Sequence, residues 1–343
     1  MRYFRDRDFI ETPEKFIFCV VGSTHPKTHI MAYLKYVPSN KGLWGRKNTK
    51  FQRVMKEYTM ENLIETLRIL ERHPQYIYHF DAFGIRMSAV PINNVIKHFK
   101  PEQRLKEILM SPELDSLELK VSELASLIIE NSIPKESIGV TGSILLKIHN
   151  ISISDIDLVV YGLDASERVK NIILNLYSEG ILKRFSGIML ENWCKSKVRK
   201  YPITFEDAKQ IYERKWNIGI FKDVRFSIHP VRVEHEAEPY GSRFYRPLGV
   251  TCMKAIVTDA HESIFLPAIY KIDRVKIISG TKARDIREVC SYESIYAGIA
   301  REGETIIVKG KLEQVKDLKT GEEYYRVLVG SLEGKGYEYV KLA

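Results

Sequence analysis

Long apolar runs are missing from this sequence. No stretch reaches the roughly 20 consecutive apolar residues that a membrane-spanning helix needs, so no membrane partner is expected. The opening stretch, Met1 to Glu11, places no apolar segment behind its charges. A secretory signal is therefore not expected, and the reading is cytoplasmic. Cysteine is scarce and scattered. Cys19, Cys194, Cys252 and Cys290 stand far apart, with no Cys-x-x-Cys or Cys/His spacing, which argues against a zinc site or a disulfide framework. Glutamine is rare while Lys, Glu, Ile and Tyr are abundant, a usage resembling that of thermophiles. Internal repeats and low-complexity linkers are also lacking.

What is present describes a folded chain of more than one domain. Its 343 residues are 44% hydrophobic and 28% charged, enough apolar surface for two or three cores. The net charge of +9 favours polyanionic partners, nucleotides or nucleic acid, although a basic soluble protein requires neither.

Along the chain, Phe16–Val21 and Ile30–Val37 read as strands flanking a turn-forming stretch, a hairpin with a long loop. Thr59 is placed to cap a helix through Glu61–Glu71, whose apolar residues recur at helical spacing. A second amphipathic helix is expected over Ser111–Ser132, started by Ser111-Pro112. Then follow a strand at Ser137–Thr141, Gly142-Ser143, a short helical run at Ile144–Ile148 and a strand at Asp155–Tyr161. A helix over about Ala165–Ser178 ends before Gly180, and Thr204-Phe-Glu-Asp207 resembles a capping box. Beyond Leu248 short β segments dominate, with Lys319–Glu322 as a hairpin turn. The expected fold is α+β in three parts: residues 1–110 an N-terminal α/β module, 111–247 a core with a mixed sheet, and 248–343 a small β barrel or sandwich.

The chemistry concentrates in the middle part. Asp155 and Asp157 are two apart on a predicted strand, so both carboxylates face one way while Ile156 and Leu158 face the other. Two acids held side by side repel unless a cation lies between them, which implies a divalent metal, Mg²⁺ or Mn²⁺. Twelve residues before Asp155, Gly142-Ser143 joins a strand to a helical run. Glycine lets a phosphate approach the backbone, and the Ser143 hydroxyl adds a donor. A lone Asp-x-Asp is a weak signal, since Asp6-Arg7-Asp8 shows the same spacing; the combination with Gly-Ser and interleaved apolar residues is stronger.

Gly142-Ser143 followed by Asp155-Ile-Asp157 resembles the signature of the DNA polymerase β-like nucleotidyltransferase superfamily, over residues of about 115 to 235. The whole chain further resembles predicted archaeal nucleotidyltransferases that join such a core to extensions at both ends. The resemblance implies that Ser143 helps hold the triphosphate of an NTP and that Asp155 and Asp157 bind the metal. A nucleoside monophosphate would then pass to a hydroxyl acceptor, with release of pyrophosphate. RNA or DNA is the acceptor class that the basic charge favours.

The pattern departs from the family at one point. A third carboxylate is expected on a later strand, yet Val224–Val231 carries Ser227 and His229 on one face, with Asp223 and Glu234 only at its ends. His229 could serve as a base near neutral pH, or be a histidine in a half-buried strand. The basic run Lys195, Lys197, Arg199 and Lys200 could contact phosphates, although such runs are commonly solvated surface. Two other classes stay open: a non-catalytic nucleic-acid-binding or scaffolding protein that keeps the fold, and an Asp-x-Asp glycosyltransferase.

Overall fold

An eight-stranded sheet occupies the chain from Phe9 to Phe99, and all of its pairings are antiparallel. The structure is a computed structural model that describes residues 2–46, 49–55 and 60–343. The hairpin expected from the apolar runs is present as strands Ile17–Val20 and His29–Pro38. Alternation along these strands sends Ile30, Ala32 and Leu34 to one apolar layer and Tyr33 to the other, beside Phe9 and Cys19. A helix runs over Met60–Leu70; the Thr59 cap expected from the sequence lies outside the described residues.

The central part is a four-stranded mixed sheet. Ile156–Tyr161 pairs in parallel with Val224–Val231 and antiparallel with Ile138–Val140, and Ile218–Phe221 completes the sheet as the antiparallel neighbour of Val224–Val231. Residues of even number on the middle strand, Ile156, Leu158 and Val160, are fully buried against helices Pro101–Met110, Ser116–Glu130 and Leu163–Ser178. Burying each such side chain contributes roughly 1.5–3 kcal/mol. That energy fixes the register, because a slip of one residue would turn the acids into the apolar layer. The odd-numbered positions therefore face the other way, with Asp157 directly opposite Ser227.

One helix start differs from the sequence expectation, and one helix was not expected. Helix Ser116–Glu130 begins at Asp115, not at Ser111-Pro112, because the Asp115 side chain accepts from the backbone N–H groups of Leu117 and Glu118 while Glu118 accepts from the N–H of Asp115. Pro112 falls between this helix and Pro101–Met110, which opens on its own proline and has few apolar positions to signal it. The box at Thr204 and Asp207 is formed as read, capping helix Phe205–Arg214. The basic run 195–200 belongs to helix Gly187–Lys200.

In the last part the strands are longer than the short segments expected. Arg243–Asp259 has 17 residues and begins before Leu248. It pairs with both Ala268–Gly280 and Thr305–Asp317. Ile286–Ser291 and Glu323–Val329 complete the circuit, so five strands close into a ring and Tyr339–Leu342 adds a sixth to its side. A buried charged cluster joins two adjacent strands of this barrel: Glu313 accepts from Arg326 at 2.8 Å and pairs with Lys311 at 3.0 Å. Among the described residues, no helix is long and apolar enough to cross a membrane.

Candidate active site

The turn at Gly142 is built by the sheet on either side of it. Thr141 donates its backbone N–H to the Asp157 carbonyl at 2.8 Å, which sets the turn beside the acid-bearing strand. Gly142 has φ +69°, and a Cβ there would lie 2.6 Å from Asp157 Oδ2. Glycine is thus required twice, by backbone conformation and by the carboxylate resting on it. A helix of only four residues, Gly142–Leu145, follows. The Ser143 hydroxyl donates to Ser154 Oγ at 3.2 Å, and Ser154 Oγ also accepts from the Asn150 N–H, pinning the return loop just ahead of Asp155.

The turn is also anchored to the N-terminal sheet. Leu145, Leu146 and Ile148 are buried with Phe9, Ile17, Tyr33, Tyr36 and Phe51, and Thr141 Oγ1 donates to the Arg7 carbonyl at 2.8 Å. All three parts of the chain consequently border one cavity of about 590 Å³. Gly142, Ser143, Asp155, Asp157, Ser227, His229 and Lys197 all line it. The other three members of the basic run do not: Lys195 is exposed and paired with Glu191 at 2.6 Å, Arg199 is exposed, and Lys200 is half-buried away from the cavity. Helical periodicity turns only one of the four inward.

The two acids have different surroundings. Asp157 Oδ1 accepts from Ser227 Oγ at 2.5 Å, and Ser227 Oγ lies 2.8 Å from His229 Nε2. Burial opposes its charge, but His229, whose Nε2 stands 3.9 Å away, and the bond from Ser227 prevail and hold the carboxyl down at about 2. Burial and the nearby Arg7 charge push His229 down to about 4, so it is neutral at pH 7. The single hydroxyl proton of Ser227 is directed at Asp157, which assigns the Nε2–H tautomer to His229 and makes it the donor to Ser227. His229 in this arrangement orients the acid instead of presenting a free Nε2 lone pair. Asp155 is more exposed, at the end of the strand, yet partial burial and the Asp157 charge push its carboxyl up to about 6. A pair in which one acid raises the other is short of positive charge between them.

No third acid stands on the neighbouring strand. Asp223 is in the hairpin turn with φ 66°, and Glu234 is held by Arg5 at 2.5 Å. Three other acids line the cavity. Asp6 accepts from the Gly22 N–H at 2.9 Å, and Glu333 pairs with Lys311 at 3.3 Å. Glu293 accepts from Tyr201 at 3.2 Å, and its carboxyl is pushed up to about 7 by burial. Sequence reasoning missed these, as it missed the cationic wall residues Arg7, Lys35, Arg53 and Lys311, because they arrive from distant elements.

A separate acidic cluster, Asp115, Glu118 and His149, brings potential ligand atoms within 4.8 Å of one another. Its atoms already have structural work. Asp115 caps a helix and accepts from His149 at 2.7 Å, and Glu118 pairs with Arg104.

One relative spans the chain from end to end and is archaeal. The sequence is 32% identical to the uncharacterized protein MJ1086 of Methanocaldococcus jannaschii over 351 aligned positions, covering 98% of each chain. The chain belongs to the family of that protein. No family model matches it, and no solved structure does.

Proposed function

We propose that this protein is a metal-dependent nucleotidyltransferase built on a polymerase β-like core, moving a nucleoside monophosphate from an NTP to a hydroxyl acceptor. The observation that carries the reading is the convergence of Gly142-Ser143 with Asp155 and Asp157 on one cavity, where burial and the Asp157 charge both oppose ionisation of Asp155. That donor set fits Mg²⁺ or Mn²⁺: two carboxylates, hard oxygen ligands, one already ionised and the other held back by its neighbour. The metal, when bound, supplies charge neutralisation at the α-phosphate and lowers the cost of ionising the attacking hydroxyl. Gly142 admits the triphosphate close to the backbone, and the Ser143 hydroxyl becomes a donor to it by turning away from Ser154. Ser227 and His229 hold Asp157 ionised and aimed at the cavity. In the reaction the acceptor oxygen forms a bond to the α-phosphorus, the α–β bridging bond breaks, and pyrophosphate leaves with the electron pair. The hydroxyl proton passes to a base or to solvent.

A second reading is favoured by one observation, Ser227 and His229 standing where the family carries its third acid. On this reading the site binds nucleotide, with nucleic acid as a partner, but does not turn it over. Incubation with labelled NTPs, Mg²⁺ or Mn²⁺ and total RNA, beside an Asp155→Ala/Asp157→Ala control, separates the two. Incorporation lost in the control supports the enzyme. Nucleotide binding with no incorporation under either metal supports the binding module and removes the transferase.

A further inference from the structure

Part of the cavity wall comes from the N-terminal module; it is largely apolar but carries three cations, Arg7, Lys35 and Arg53. Lys35 is only 7% exposed, an uncommon position for a lysine, and its Nζ lies over the Phe9 ring at 4.9 Å. A register irregularity puts it there. Ile17 pairs with Tyr36 and Phe18 with Leu34, so Lys35 is the extra residue of a β-bulge. Bulges re-aim side chains, and here both Lys35 and Tyr36 border the cavity. Tyr36 lies opposite Arg53 on the adjoining strand, and Arg53 also borders it, its Nε donating to the Met55 carbonyl at 2.8 Å. Arg7, at φ 69° in the turn that accepts the Thr141 hydroxyl, is the third. These charges reach the acids' surroundings: Arg53 acts on Asp155, Lys35 on Asp157, and Arg7 on His229.

Resting on the nucleotidyltransferase reading, we infer that Arg7, Lys35 and Arg53 form the phosphate-binding wall of the site, holding the β- and γ-phosphates of a nucleoside triphosphate across from Asp155 and Asp157. A triphosphate brings more negative charge than the metal at two carboxylates neutralises, and charge-assisted donors on the opposite wall complete its neutralisation. Arg7 keeps an ion pair with Asp6 at 3.4 Å, whereas Lys311, on the barrel side of the cavity, is held between two acids, Glu313 and Glu333. Lys197 lies over the Trp193 ring at 5.1 Å. The N-terminal module is on this account half of the nucleotide site, and the central core alone does not bind NTP tightly.

The test measures dissociation constants of the full chain for Mg²⁺–ATP and for inorganic tripolyphosphate, which has phosphates but no base. Lys35→Met keeps the stem that packs beside Phe9, and Arg53→Gln changes a partly exposed side chain, so at least one variant keeps the fold; thermal melting verifies this. Each is expected to weaken both probes about tenfold or more, while Lys170→Met, exposed on helix Leu163–Ser178, stays within about twofold. If wild type binds and turns over ATP but both variants bind like wild type, the wall assignment is wrong and the enzyme reading survives. If wild type binds neither probe with Mg²⁺ or Mn²⁺, both fail together.

Discussion

Two groups of acids in this protein look alike on paper and differ in what surrounds them. Asp115 and Glu118 are fully engaged: two backbone N–H groups, His149 and Arg104 take up their oxygens. The Asp115 carboxyl sits below its ordinary value: burial opposes this, and the bonds from the backbone and His149 outweigh it. Asp155 sits above its ordinary value because burial and the Asp157 charge outweigh the charges of Arg225 and Arg53. The first group has its charge satisfied by the protein, and the second leaves charge for something else to satisfy. Proximity of carboxylates is therefore a poor guide to a metal site, and unspent charge is a better one.

That contrast can be broken or sharpened by five measurements. The largest effect is expected from Asp157→Asn, which should lower nucleotidyl transfer per folded molecule by about 10³-fold, whereas Asp115→Asn should leave it unchanged. Gly142→Ala comes next: its Cβ meets the Asp157 carboxylate at 2.6 Å, and a displacement on that scale should cost about 10²-fold in kcat. Third, saturating Mg²⁺ at about 100 times its dissociation constant should add about 2.7 kcal/mol of stability, read as a higher Tm. The rise should vanish in Asp155→Asn/Asp157→Asn and persist in Asp115→Asn; the reverse pattern would move the metal to the helix cap. Fourth, Asp115→Ala should destabilise the fold by roughly 1–2 kcal/mol in denaturant unfolding.

The smallest effect is in the pH profile of stability. Asp115 is lowered in the folded state, so its contribution is present above the ordinary carboxylate value of 3.8 and disappears as pH falls through the folded value. Glu293 is the opposite case. Raised from 4.5 to about 7 by burial, it makes the folded state bind more protons than the unfolded one in that window, so stability declines as pH rises through it. Unfolding free energies of Asp115→Asn and Glu293→Gln should each lack the corresponding slope; unchanged slopes would show that these carboxyls titrate normally.

The part of the site that could be read in advance was the part encoded by spacing. Asp155 and Asp157 share a face because strand alternation is local, and Ser227 and His229 follow from the same rule. Gly142 was legible as a turn because few residues tolerate its backbone. The opposite wall was not legible. Lys35 faces the cavity through a bulge set by pairing with another strand, and Glu293 reaches it from the barrel, neither of which leaves a mark in nearby residues. Of the basic run, composition named four candidates and only the helix phase could select Lys197. In the fold, the missed helix at Pro101–Met110 and the late start at Asp115 share a cause. A proline between two helices reads equally well as the beginning of the second, until the Asp115–Glu118 box is weighed against it.

The bond from Thr141 to the Arg7 carbonyl joins positions 134 residues apart, and the one from Ser227 to Asp157 spans another 70. During synthesis the two aspartates emerge early, yet the strand that aims one of them is made much later. The arrangement around Asp157 is thus completed late, so a chain interrupted before residue 227 carries Gly142-Ser143 and both aspartates but lacks the hydroxyl that orients Asp157.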